Sequence, residues 1–159
     1  MLSINIICTG RMKENYLKEG ALEYSKRLSK YCNLQIIELP DEKLPDKTNK
    51  TIEETIKQKE SKNAIAHIKK DSYVICLDLK GKEITSEEFS RKIDRISLAN
   101  STITFVIGGT LGVSEEILNL ANERICFSKM TFPHQLIRIF LLEQIFRAFK
   151  ISKGETYHR

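Results

Sequence analysis

Phe127-Ser128-Lys129-Met130-Thr131-Phe132-Pro133-His134-Gln135 leaves a short apolar strand and enters a long apolar helix. Open α/β sheets bind ligands at such strand-to-helix junctions. Pro133 is favoured at the start of a helix, Thr131 can cap one, and Phe132 can serve the core. Those roles leave Lys129, Met130 and His134 unexplained. His134 is open between a structural hydrogen bond and catalysis.

Working outward, the strand is Arg124–Phe127 and the helix runs to about Lys150. Upstream, four more apolar runs alternate with helical patterns. They are Ser3–Cys8, Leu34–Leu39, Tyr73–Leu79 and Thr102–Ile107. Between them the spacing predicts helices over Glu14–Tyr31 and Thr51–Ile68, and a third carrying Phe89, Ile93 and Ile96 inward. Thr51 with Glu54, and Thr85 with Glu88, have capping-box spacing. Ser114 can cap a short fourth helix whose first turn holds Glu115 and Glu116. Lys80-Gly81-Lys82 reads as a turn. Tyr73–Leu79 is almost wholly apolar, as in a strand covered on both faces. The alternation predicts an α/β fold with a mostly parallel sheet and helices on both faces. At 159 residues the chain reads as a single domain, residues 1–159.

The final helix carries Leu136, Ile137, Ile139, Phe140, Leu141, Leu142, Ile145, Phe146, Ala148 and Phe149 around most of its circumference. A surface helix needs only one apolar stripe. A dimer interface or a central core helix would explain the excess.

Composition narrows the function classes. Hydrophobic residues make up 41% and no run approaches a membrane span. The N-terminus reads as a strand rather than a signal peptide, so a cytoplasmic location is expected. Cys8, Cys32, Cys76 and Cys126 are spaced by 24, 44 and 50 and match no metal or redox motif. They read as buried thiols, with a catalytic Cys76 or Cys126 as the alternative. His67, His134 and His158 lack ligand spacing, so no metal is expected. Net charge is +5, and Arg124 to Arg159 alone hold seven basic and two acidic residues. That bias reads as a phosphate-contacting surface near the C-terminus.

Gly108-Gly109-Thr110-Leu111-Gly112 follows the fourth strand but has neither dinucleotide-fingerprint nor P-loop spacing. No nucleophile elbow is present. The chain ends Tyr157-His158-Arg159, groups able to stack on a base, exchange a proton and clamp a phosphate.

Several segments together carry a resemblance. They are Cys8-Thr-Gly-Arg-Met-Lys, Glu38-Leu-Pro-Asp-Glu-Lys, Phe105-Val-Ile-Gly-Gly, Phe127–Gln135, Glu143-Gln-Ile-Phe-Arg-Ala-Phe-Lys and Gly154-Glu-Thr-Tyr-His-Arg. In order and spacing the chain resembles the large-subunit rRNA methyltransferase H family, SPOUT-class enzymes that methylate N3 of a pseudouridine in bacterial 23S rRNA. The resemblance covers the whole chain. It implies a C-terminal trefoil knot, which topology rules alone would argue against. It also implies a homodimer, S-adenosylmethionine as methyl donor with S-adenosylhomocysteine as product, and 23S rRNA within the assembled ribosome as partner.

Carried over by position, Leu77, Gly108, Phe127, Ser128, Lys129, Met130, Thr131 and Phe132 would bind the cofactor. His134, Tyr157, His158 and Arg159 would serve catalysis and RNA contact. Arg138 and Lys129 would hold phosphates. Thr110 and Leu111 stand where polar residues are common in relatives, which touches only the rim of the pocket. A non-catalytic ribosome-binding factor and a tRNA methyltransferase of the same fold are the competing readings.

Overall fold

The computed structural model describes residues 1–157. His158 and Arg159 lie outside the described residues. Five strands form one sheet: β1 (Ser3–Thr9), β2 (Asn33–Leu39), β3 (Tyr73–Glu83), β4 (Thr102–Ile107) and β5 (Glu123–Cys126). The helices are α1 (Asn15–Leu28), α2 (Lys50–Ala66), α3 (Ser86–Ser97), α4 (Glu115–Leu120) and α5 (His134–Ser152). The sheet order is β2-β1-β4-β3-β5 and every pairing is parallel.

Alternate residues of each strand feed opposite faces. Ile4, Ile6, Ile75, Ile103 and Phe105 join Leu17 of α1, Phe89 of α3 and Leu141 of α5 in one apolar layer. Ile7, Val74, Cys76 and Val106 join Ala64 of α2 and Ile117 of α4 in the other. Helices therefore cover both faces, as the sequence predicts. The helices after β1 and β3 pack on one face and the helix after β4 on the other. Crevices therefore open at the carboxyl ends on both sides of β4.

Two local expectations change. The α2 cap is Asn49, whose side chain accepts from the Ile52 N–H at 2.9 Å, so Thr51 lies inside the helix and makes no capping box. The Thr85–Glu88 box forms as expected. Lys80-Gly81-Lys82 stays within β3 instead of turning the chain. Ile125 pairs with both Leu77 and Lys82 across a register shift, so β5 lies against two arms of β3. A Cβ at Gly81 would come within 2.8 Å of the Arg124 and Ile125 backbone. That glycine serves close approach of two chains.

The apolar circumference of α5 is used largely within the chain. Leu141, Leu142, Ile145, Phe146, Ala148 and Phe149 are buried. Phe146 meets the rings of Tyr24, Tyr31 and Tyr157. Phe140, 39% exposed, is the large apolar side chain that α5 leaves most open.

Candidate active site at the carboxyl edge of the sheet

Parallel register brings the three expected cofactor segments together. Leu77 pairs with Ile107 on one side and Ile125 on the other. The residues that follow these strands, Gly108 and the Phe127–Phe132 loop, therefore flank the point where Leu77 sits. At Gly108 a Cβ would lie 2.5 Å from the Gly112 carbonyl carbon and 2.9 Å from the Val113 nitrogen. The tight loop is closed by the Gly112 N–H donating to the Gly109 carbonyl at 3.0 Å, with Gly112 at φ +80°. The residue types requested by the sequence are thus dictated by backbone proximity.

The loop from Phe127 to Pro133 is held by its own bonds. The Cys126 thiol donates to the Ser128 carbonyl at 2.9 Å, and the Ser128 hydroxyl accepts from the Met130 N–H at 3.1 Å. Met130 is 72% exposed, and Lys129 and Thr131 are exposed as well. Phe132 stands edge-on to Phe140 at 5.5 Å. Phe127, Phe132 and Phe140 line a cavity of about 300 Å³ together with Ile84, Thr85, Phe89 and Gln144.

Asp78 was not foreseen. It follows Leu77, which pairs with Ile107 and Ile125, and its Oδ2 is enclosed without a hydrogen-bond partner among the described residues. An enclosed, unpaired carboxylate oxygen is costly. The signal available in the sequence was an acid directly after the apolar run Tyr73–Leu77.

On the other side of β4, β1 ends in Gly10 at φ +108°. A Cβ there would sit 2.9 Å from Cε1 of His134, so the imidazole rests on the bare glycine backbone. Arg138, one helical turn further along α5, is 1% exposed. It donates to Glu38 Oε2 at 2.6 Å and to the Gly10 carbonyl at 2.9 Å. The same Glu38 oxygen accepts from the Met12 N–H at 2.9 Å. That hydrogen bond and the arginine hold the Glu38 carboxyl below the usual carboxylate range against the opposing effect of burial, which is the largest single influence. For His134, burial comes first and Arg138 second in lowering the imidazole below its ordinary value, with Asp41 opposing and Lys13 assisting. Its environment therefore favours the neutral imidazole, and its Nδ1 is enclosed with no hydrogen-bond partner among the described residues.

Not all of the proposed catalytic residues converge. Tyr157 packs on Phe146 with ring centres 4.9 Å apart, under the Arg147 guanidinium at 4.8 Å, and donates to Glu143 at 3.3 Å. Phe146 follows His134 by twelve residues, about 18 Å along a helix. Within one chain, Tyr157 and His134 are thus apart. The basic C-terminal segment is also largely paired. Arg138 is committed to Glu38, Arg147 to Glu143 and Lys150 to Glu155, while Lys129 lies 3.9 Å from Glu83. Arg138 cannot serve as an exposed phosphate contact. All four cysteines are buried and free. Burial pushes the Cys76 thiol up to about 12, which removes it as a nucleophile. Among the described residues no group of three or more His, Cys, Asp or Glu could hold a metal ion. No helix among them is long and apolar enough to cross a membrane.

An all-parallel five-stranded sheet with helices on both faces defines an open α/β protein, a class whose ligand sites lie at the carboxyl edge of the sheet. The family description "Predicted SPOUT methyltransferase" matches residues 2–158, and the chain belongs to that family. It is 55% identical over 159 residues to "Ribosomal RNA large subunit methyltransferase H 1" of Clostridium perfringens (strain SM101 / Type A), covering 99% of this chain and 100% of that one. It is 58% identical to "Ribosomal RNA large subunit methyltransferase H" of Clostridium botulinum (strain Kyoto / Type A2), with the same coverage. A probable methylase family protein from Haemophilus influenzae Rd KW20 shares the fold with a TM-score of 0.56 at 14% identity, over 100% of this chain and 72% of that one. The A. aeolicus TrmH/SpoU tRNA modifying enzyme does so with a TM-score of 0.50 at 15% identity, over 97% and 78%.

Proposed function

We propose that this chain methylates N3 of a pseudouridine in 23S rRNA, using S-adenosylmethionine, on assembled ribosomes in the cytoplasm. The observation that carries the reading is full-length identity of 55–58% to proteins named rRNA large subunit methyltransferase H. The residues present fit the cofactor. Gly108 lets its loop fold back against the Gly112 backbone, Asp78 offers an enclosed acceptor next to Leu77, and Phe127 and Phe132 supply apolar walls to a cavity whose lining does not include Leu77, Asp78 or Gly108.

Leu77, Gly108 and Phe127–Phe132 would hold the cofactor, with Asp78 accepting from one of its donors. When bound, the cofactor supplies an electrophilic methyl group. The chain then has to orient the acceptor, exclude water and take up the imide proton. Phe127 and Phe132 exclude water. The neutral His134 imidazole is able to accept the proton. We assign RNA contact to the Tyr157–Arg159 tail, of which Tyr157 alone lies within the described residues.

The chain acts as one domain, and the two-armed pairing of β5 fits the threaded, knotted C-terminus of its class. A homodimer docked across Phe132 and Phe140 would bring the tail of one protomer towards the loops of the other, which a single chain does not do.

Calorimetric titration with S-adenosylhomocysteine, followed by incubation of separate tRNA, 50S and 70S pools with labelled S-adenosylmethionine, tests the reading. Saturable binding and label in 23S rRNA are expected. Absence of binding, or label in tRNA alone, refutes it.

A further inference from the structure

The loop Gly10-Arg11-Met12-Lys13 is fixed to an unusual degree for a surface segment. The Arg138 guanidinium grips the Gly10 carbonyl, and Glu38 accepts from the Met12 N–H. The Lys13 N–H donates to Gln135 Oε1 at 3.3 Å, and the His134 ring covers Gly10. Met12 is buried at 7% exposure. Neighbours along an extended backbone point to opposite sides, so Arg11 and Lys13 both turn outward, and both are exposed. Neither forms an ion pair with a described residue. The C-terminal cations Arg138, Arg147 and Lys150 are tied to carboxylates.

Arg11 and Lys13 thus offer cations on a held backbone, in addition to the exposed Arg124 and Lys153 of the C-terminal segment, which also form no ion pair with a described residue. We propose that Arg11 and Lys13 form an RNA-backbone contact surface at the β1 side of the catalytic crevice, with the Arg138–Glu38 pair holding the loop that presents them. The partner chemistry is a polyanionic strand. A cation on a backbone already held in place loses less freedom on contact than one on a mobile loop. The surface adjoins His134, the residue that ends the Phe127–Pro133 loop, so a strand gripped there runs past the reacting centre. The acids near this rim include Asp41, which acts on His134, Glu14 directly after Lys13, Glu60 beside Thr9 and Gly109, and the half-exposed Glu38, on which Arg11 also acts. Glu38 is already compensated by Arg138. The inference rests on the RNA-methylating reading and adds to it the residues that grip the substrate.

The test compares Arg11→Ala/Lys13→Ala with Lys69→Ala/Lys70→Ala. The second pair is exposed just before β3, at the opposite edge of the sheet, and removes the same charge. Bacterial 70S ribosomes are the probe, in filter binding across a salt series, with S-adenosylhomocysteine titration and thermal melting alongside. The loop variant should bind ribosomes at least about tenfold more weakly near 0.1 M salt, with the slope of log affinity against log salt reduced by about 1 to 2. Its S-adenosylhomocysteine affinity and melting point should match the parent, and the control pair should bind ribosomes within about twofold of it. Unchanged affinity and slope in the loop variant overturn the proposal, as does an equal loss in the control pair. Loss of cofactor affinity together with ribosome affinity also overturns it, because it marks a structural role. If the parent protein itself binds no ribosomes, the functional reading fails with it. If the parent binds and methylates while the loop variant behaves alike, only the surface assignment fails.

Discussion

Two loops flank β4 at the carboxyl edge of the sheet, and they are built in opposite ways. The Gly10–Lys13 loop is held from outside itself, by Glu38 of β2 and by His134, Gln135 and Arg138 of α5. The Phe127–Pro133 loop is held by a thiol and a hydroxyl within its own few residues. The first is gripped by Arg138 of α5 at 1% exposure, whereas the second carries Met130 at 72%. Long-range polar contacts fix a loop in one conformation, and few such contacts leave it adaptable. The pinned loop suits the task of presenting charges at fixed positions. The self-held loop suits closure around a small molecule.

Removing the pin should have the largest effect, and it should be asymmetric. Arg138 is enclosed, whereas the Glu38 side chain retains 39% exposure. Glu38→Ala leaves a buried guanidinium with only the Gly10 carbonyl, and should cost about 3 kcal/mol of stability. Arg138→Met leaves a carboxylate that reaches water and an apolar chain in an apolar place, and should cost about 1–2 kcal/mol. Urea denaturation measures both. Equal losses would mean that the pair is not enclosed on the arginine side.

A second pair of substitutions sharpens the contrast between the loops. Gly10→Ala forces a Cβ to within 2.9 Å of the His134 ring at φ +108°, a conformation that L-residues rarely adopt. The expected cost is about 2 kcal/mol. Met130→Ala in the self-held loop should change stability by less than about 0.5 kcal/mol, because its side chain stands in solvent. If the cofactor closes over it, the affinity for S-adenosylhomocysteine should fall severalfold. Thermal melting with and without S-adenosylhomocysteine separates the two effects. A Met130→Ala variant that loses stability but not affinity would reverse the roles assigned to the loops.

What the sequence made legible follows from the range of each signal. Strand positions and both-face coverage were legible because apolar periodicity is local. Gly81 read as a turn because its neighbours are lysines. Its true reason, the β5 backbone 2.8 Å from where a Cβ would be, comes from a segment more than forty residues away. The α2 cap was placed at Thr51 on its spacing to Glu54, whereas the Asn49 side chain, two residues earlier, accepts from the Ile52 N–H and starts the helix. The Arg138 role as a phosphate contact did not survive for a related reason. A count of charges contains no partners, and Glu38 lies a hundred residues from Arg138. The Leu77, Gly108 and Phe127 segments were legible through family resemblance, and the register supplies the physical reason that they meet. Asp78 and the Arg11–Lys13 presentation needed the sheet order and the buried contacts themselves.

The smallest expected effect concerns the imidazole that joins the two loops. Burial and then Arg138 lower its pKa, Lys13 adds to that, and Asp41 opposes it. In the unfolded chain His134 should titrate near 6.5. Between that value and the lower folded one, the unfolded chain binds more protons, so stability rises with pH across the window. Acidification from 6.5 towards the folded midpoint therefore weakens the fold, while above 6.5 the stability is fully present and no longer varies with this group. A ring-proton titration by NMR should place the His134 midpoint below 6.5. Asp41→Asn should lower the His134 midpoint further, and Lys13→Ala should raise it slightly. His134→Gln should flatten the acid limb of the stability curve. A midpoint at or above 6.5 would mean that the ring is solvated rather than seated on Gly10. The pinned loop would then lose the contact that couples it to the start of α5, and with it the continuity between the charged surface and the proposed reacting centre.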